Sequence, residues 1–150
     1  MTIPKTEQER FGFLMGRIVR HWRAEINRRL APHGLTESRW MTLLHLSRLP
    51  DPVTQTELAC AVGVQGPTLV KTLDWLEGEG LIERRALAAD RRAKSIHLQD
   101  KAACNLSQIK DAVKGLRAEI FADIDDAELE VCLQVFAKIN KKLNTLHGFQ

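Results

Sequence analysis

Apolar residues recur every three or four positions along most of the chain, and the pattern changes character only once, near the middle. From about Thr6 to Leu30, Phe13, Leu14, Ile18, Trp22, Ile26 and Leu30 alternate with Arg17, His21 and Glu25. That spacing predicts one long helix, ended by the run Ala31, Pro32, His33, Gly34. A second helix follows from Leu35 to Leu46 with Thr36 as its N-cap, and the run Leu49, Pro50, Asp51, Pro52 breaks it. The last third predicts two more helices, Lys101 to about Phe121 and Ala127 to about Leu146. In the last one, Leu129, Leu133, Phe136, Ile139, Leu143 and Leu146 form a continuous apolar stripe.

The middle of the chain is punctuated differently. Thr54 and Glu57 have capping-box spacing, in which the hydroxyl accepts the Glu57 amide and the carboxylate accepts the Thr54 amide. A short helix therefore starts at Thr54, with Leu58, Ala59 and Val62 on its apolar face. Ala59 is small enough for a helix crossing, and Gly63 tolerates the positive φ of a tight turn. A second helix runs from about Gln65 to Glu77, with Pro67 in its first turn, where a missing N–H costs nothing. Leu69, Val70, Leu73 and Leu76 face inward, and Gly78 and Gly80 stop the helix, Gly80 as the C′ residue. Gln65, Gly66, Pro67, Thr68, Lys71 and Thr72 are left on the outer face towards the N-terminal end, which a recognition helix presents to base edges.

Period-two patterning appears only after this helix pair. Leu81 to Arg85 and Ala93 to Leu98 are strand candidates around an Ala-rich tip. Arg84, Arg85, Arg91, Arg92 and Lys94 face a single acid there, Asp90. A basic run of this kind is usually a solvated loop. Directly after a recognition helix, it predicts the wing of a winged helix-turn-helix, because an inserted arginine is drawn to the negative potential of a narrow minor groove. Arg91 and Arg92 are the candidates for that insertion. Asp90 pairs with a neighbouring arginine and fixes the tip. The fold class expected is mainly α with a small β-hairpin wing, and the partner expected is double-stranded DNA.

Total charge adds little to this, at +3 over 150 residues. Placement adds more, since Arg17, Arg20, Arg23, Arg28 and Arg29 gather on the first helix while Glu77, Glu79 and Glu83 sit at the base of the hairpin. Local phosphate and groove contacts, not a basic body, would supply affinity. No apolar run approaches the roughly 18 residues of a membrane span, and the first ten residues hold no apolar signal core. A cytoplasmic, nucleoid-associated protein without membrane partner is expected. The three cysteines, Cys60, Cys104 and Cys132, are too scattered for disulfides or zinc and are expected to be small buried hydrophobes. His21, His33, His45, His97 and His147 make no metal-ligand spacing, and neither a phosphate loop nor a Ser/His/Asp arrangement is visible, so neither enzyme nor cofactor is expected.

Two long terminal helices around a DNA-binding centre have little else to pack on in a chain this short. They are expected to pack on a second copy. A two-fold homodimer would set two recognition helices about 34 Å apart, over a near-palindromic operator. The organisation expected is one domain, 1–150, with dimerisation helices at about 1–34 and 101–150 and a DNA-binding lobe at about 35–100. Two other readings stay open. One is a winged-helix module that binds protein, although it would have no reason to concentrate Arg91, Arg92 and Lys94. The other is a thiol-based redox sensor.

These residues together resemble the MarR family of bacterial transcription regulators, and within it the SlyA branch. The resemblance covers nearly the whole chain. It runs through Val19 to Ala24, Leu35, Thr36 and Trp40, then Pro67, Leu69, Val70, Thr72, Leu73 and Asp74, and on to Gly80, Leu81, Ile82 and Asp90 to Lys94. It implies a triangular homodimer whose winged lobes grip consecutive major grooves, acting as a repressor or an anti-silencing activator. It also implies that small aromatic carboxylates weaken DNA binding from a site between the dimerisation region and the winged lobe. By position, the base reader falls at Lys71 and the minor-groove arginine at Arg92. SlyA proteins have arginine at the first of these, and lysine is a flexible point charge in place of a rigid fork. Ser95 departs too, where that branch has a basic residue; one lost phosphate contact would lower the salt slope by about one unit. The effector site implied involves Arg23, Ser38 and Trp40. The branch's histidine falls at Leu44, with His45 one residue away and facing elsewhere.

Overall fold

The computed structural model describes residues 6–148 apart from 89, and the side chains of Asp90 and Arg91 lie outside what it describes. Two compact units are distinguished, Met1–Val113 and Lys114–Gln150, and the division falls within a helix.

The first unit opens with α1 (Glu7–Leu30), capped by Thr6 in a capping box with Glu9. A 3-10 turn, Ala31–His33, closes on Gly34, whose φ of 69° releases the chain into α2 (Glu37–Leu46). Thr36 is the N-cap of α2, although its hydroxyl makes no capping bond. Next comes β1 (Val53–Thr54), a two-residue strand that sequence reasoning missed because it is too short to show a period. The predicted capping box starts α3 (Gln55–Val62): the Glu57 amide donates to Thr54 Oγ1 at 3.2 Å and the Thr54 amide to Glu57 Oε2 at 2.8 Å. Gly63, at φ 78°, makes the turn into α4 (Gly66–Gly78). Gly78 is still helical, contrary to expectation; the stop is Gly80 alone, at φ 72°. Lys101 Nζ donates to the Glu79 carbonyl there at 2.7 Å, satisfying a terminal acceptor.

The hairpin is longer than its sequence suggests, with β2 at Ile82–Leu87 and β3 at Asp90–Leu98. The sheet order is β1-β3-β2, antiparallel throughout. Arg84 faces Ile96 and Arg85 faces Ser95, and the register shifts between Ala86 and Leu87 near the tip. Helix α2 packs on α3 and α4. Leu43, Leu58, Leu69, Leu73, Leu76, Ile82 and Ile96 form a fully buried core beneath the helix pair and hairpin. Burial of each such side chain contributes about 2 kcal/mol, which fixes α4 against the sheet. Helix α5 (Ala103–Ile120) contributes Ile109.

The second unit holds the rest of α5 and α6 (Asp126–His147). Asp125 caps α6 in another capping box, with Glu128. No described residue of α6 is buried, and Val131, Leu133, Val135, Leu143 and Leu146 are exposed. In the first unit, Phe11, Phe13, Leu14, Met15, Ile18 and Val19 of α1 are exposed as well. All three cysteines are exposed, which corrects the expectation of buried hydrophobes. No helix among the described residues is long and apolar enough to cross a membrane.

Candidate nucleic-acid interface

The outer face of α4 carries most of the residues expected on it. Gln65, Gly66, Pro67, Thr68 and Lys71 are exposed, and the helix begins at Gly66, so four of the five lie within its first turn or just before it. Thr72 is a correction. It is 7% exposed, and its hydroxyl donates to the Thr68 carbonyl at 3.5 Å, on the core side of the helix.

Arg84 is the second correction. Its side chain is 17% exposed and is held within the protein through Nε and Nη2. The guanidinium donates from Nε and Nη2 to Glu77 Oε1 at 3.1 and 2.8 Å, and from Nη2 to Asp74 Oδ1 at 2.7 Å. The Arg84 amide donates to Glu77 Oε2 at 2.8 Å. These bonds hold the Glu77 carboxyl below its ordinary 4.5, the Arg84 side chain being the largest cause and its amide the next. Strand β2 is thereby tied to the C-terminal half of α4. A guanidinium so engaged fixes the wing's angle, and Nε and Nη2 are spent on carboxylates instead of phosphate. Arg85 remains about half exposed, paired with Glu83 at 2.8 Å.

Arg92 and Lys94 are exposed on β3. With Thr54, Gln55, Thr56, Arg84 and Ala93 they border an open cavity of about 330 Å³ between the first turn of α3 and the wing. Gln55 and Thr56 were missed by sequence reasoning. The side chains of Asp90 and Arg91, expected at the tip of the wing, lie outside the described residues.

Ser95 does not stand where a phosphate contact could be lost. It is 4% exposed, with Oγ 2.7 Å from His97 Nε2 and 3.4 Å from the Arg85 carbonyl. His97 Nδ1 lies 3.4 Å from Asp51 Oδ1. The fold thus assembles a serine, histidine and carboxylate that sequence spacing did not reveal. A nucleophile must reach its substrate, and this hydroxyl is buried, so the group ties β3 to the loop before β1.

Of the expected effector residues, Trp40 and Ser38 are engaged elsewhere, while Arg23 and His45 act on one another electrostatically. Trp40 is 4% exposed, and its Nε1–H donates to Asn27 Oδ1 at 2.7 Å. It is a core residue joining α2 to α1 and presents no open ring face, which corrects its assignment as a pocket wall. Ser38 uses its carbonyl to accept from Thr42 and its hydroxyl lies 3.4 Å from that of Thr36. Leu44 is buried, and His45 is half-buried. Burial pushes the His45 imidazole below its ordinary 6.5, and the positive charges of Arg48 and Arg23 add to the shift. Arg23 and His45 therefore belong to one electropositive neighbourhood.

A family model described as the MarR family matches residues 33–93. The chain is similar to the solved structure of a transcriptional regulator, PA3341, at 45% identity and a TM-score of 0.84, covering 90% of this chain and 98% of that one. It is similar at 27% identity and a TM-score of 0.76 to the transcriptional repressor CouR bound to a 23-mer DNA duplex, covering 93% of this chain and 99% of that one. A structure of CouR from Rhodococcus jostii RHA1 bound to p-coumaroyl-CoA shares the fold, at 23% identity, a TM-score of 0.73 and 95% coverage of each chain.

Proposed function

The chain belongs to the MarR family of transcriptional regulators, and from that premise we propose that it is a homodimer that reads a near-palindromic operator through Lys71 and the α4 N-terminus while its wings hold the flanking DNA. The observation that carries this is the joint exposure of Gln65, Thr68 and Lys71 on α4 beside Arg92 and Lys94 on the wing. Similarity to a repressor solved on a DNA duplex supports it. The cavity between α3 and the wing supports phosphate contact, since Arg92, Lys94, Thr54, Gln55 and Thr56 all border it.

The dimerisation region comprises about 1–34 and 101–150, and the DNA-binding lobe about 35–100. The exposed apolar residues of α1 and α6 support this division, and a dimer is typical of the family. Within the family the chain stands nearest the SlyA branch, on the strength of its wing and recognition-helix motifs, and works at the nucleoid in the cytoplasm as a repressor or anti-silencing activator.

The test is selection of bound sequences from a random DNA pool at fixed salt. A palindrome with half-sites about 10 base pairs apart is expected; recovery without sequence preference would overturn base reading. Lys71→Ala is expected to lower the ratio of cognate to scrambled affinity by about tenfold, measured by competition, since a base contact carries about 1–3 kcal/mol of discrimination.

The effector is a small aromatic acid, or a thioester of one, held at Arg23 and His45 instead of at Trp40. An anion placed there stabilises protonated His45, whose pKa is lowered by burial first and by Arg48 and Arg23 next. Binding therefore takes up a proton, and affinity rises as pH falls towards and through the histidine range. Salicylate titrated calorimetrically is expected to bind more tightly near about pH 6 than near about pH 8. The absence of both heat and any change in DNA affinity would remove this site.

A further inference from the structure

Helix α4 is held from two sides, and the Arg84 clamp is one of the two holds. On the other side, the Arg39 guanidinium of α2 lies over the Trp75 ring, 3.5 Å from its centroid. Arg39 Nη1 also donates to the Gly34 carbonyl at 3.0 Å. Gly34 is the left-handed residue that ends the corner between α1 and α2. The guanidinium is therefore fixed at its edge by that corner and presents its face to the indole, a geometry that a planar cation holds and an ammonium does not.

The position of Trp75 on α4 gives this contact its consequence. At about 100° per residue, Thr68, Lys71 and Trp75 share one narrow stripe, while Asp74 and Glu77 fall to one side of it. Trp75 is thus the C-terminal continuation of the stripe that reads DNA. Arg84 grips the helix through Asp74 and Glu77 on one flank, and Arg39 grips it at Trp75. The buried leucines, Leu69, Leu73 and Leu76, hold the helix down and set its coarse roll; small rotations that keep them buried are left to directional contacts, because the hydrophobic effect itself is non-directional.

We propose that Arg39, through its stack on Trp75, is a positioning residue that sets the roll of the recognition helix and so the aim of Lys71 at base edges. This rests on the DNA-reading function above. Arg39 itself touches no DNA; it acts through Trp75.

The experiment compares the wild type with Arg39→Ala, Arg39→Lys, Trp75→Phe, Trp75→Leu and the double variant Arg39→Ala/Trp75→Leu. The site used is the one the wild type selects from a random pool. Arg39→Ala is expected to lower the cognate-to-scrambled affinity ratio by about five- to tenfold, the size of a partly desolvated cation–π contact acting in both half-sites. The slope of log affinity against log salt is expected to stay unchanged, because no phosphate contact is lost. Arg39→Lys should recover part of the ratio, Trp75→Phe most of it, and Trp75→Leu should match Arg39→Ala. The double variant should be no worse than either single one, as for two halves of one interaction. A merely structural contact would lower Tm and leave the ratio alone, which would overturn the proposal. So would additive losses in the double variant, or a salt slope smaller by about one unit, which would make Arg39 a direct phosphate ligand. If the wild type selects no sequence, the DNA-reading function fails and the proposal with it; a selecting wild type with an unaltered Arg39→Ala ratio sinks the positioning role alone.

Discussion

Leu143→Glu is expected to convert the dimer to monomer and to abolish operator binding at concentrations where the wild type is saturated. Leu143 lies on a helix with no buried residue among those described, in line with exposed Leu133, Phe136 and Leu146. A 22-residue amphipathic helix does not leave such a stripe in water without a partner. Burying one leucine is worth about 2 kcal/mol. Two-fold symmetry repeats the change, giving about 4 kcal/mol and roughly a thousandfold weaker dimer, before the cost of a buried carboxylate is added. Operator binding follows, because one lobe engages one half-site and loses the linkage to the second. Sedimentation at graded concentrations checks the assembly, and a gel shift checks the DNA. The lobe itself should stay folded, since its core of Leu43, Leu58, Leu73 and Leu76 is built in the other unit. A dimeric Leu143→Glu protein with normal affinity would remove α6 from the interface.

What the sequence revealed depended on whether one segment carried the whole signal. The Thr54 and Glu57 capping box, the turn at Gly63 and the spacing of Leu69, Leu73 and Leu76 are local, and the fold reproduces them. The same holds for the apolar stripe of α6. Strand β1 was invisible because two residues have no period; it exists only through its pairing of Val53 with Ile96. Site residues failed for a related reason. A basic residue in a wing reads as a DNA ligand until the tertiary fold supplies a competing partner. Arg84 meets Glu77 seven residues away and Asp74 ten residues away, across the α4–β2 turn. Trp40 meets Asn27, thirteen residues away. Arg39 meets Trp75 only because α2 packs on α4. The exposure of Lys71 and Thr68 was legible because exposure on a helix follows from spacing alone.

Arg84→Ala separates those two accounts of a wing arginine. The substitution removes three side-chain hydrogen bonds to carboxylates, while the Arg84 amide keeps its bond to Glu77. Hydrogen bonds to charged groups contribute about 1.5–3 kcal/mol each when shielded. Asp74 is 59% and Glu77 37% exposed, so screening cuts the sum severely, to about 2 kcal/mol of stability in all. The larger effect falls on DNA. With the wing free to swing relative to α4, each half-site must pay to re-order it, and operator affinity is expected to drop about a hundredfold over two lobes, at about 1.4 kcal/mol per lobe. The salt slope should not change. A slope smaller by about one unit would mean that Arg84 contacts phosphate after all. Acid supplies a second check. The folded pKa of Glu77 is depressed below 4.5, so the clamp's contribution is full above that value and is lost as pH falls through the folded pKa. The gap in denaturation midpoint between wild type and Arg84→Ala should therefore be constant at neutral pH and close on acidification. A gap that persists below the carboxylate range would assign the loss to packing of the arginine stem against the sheet.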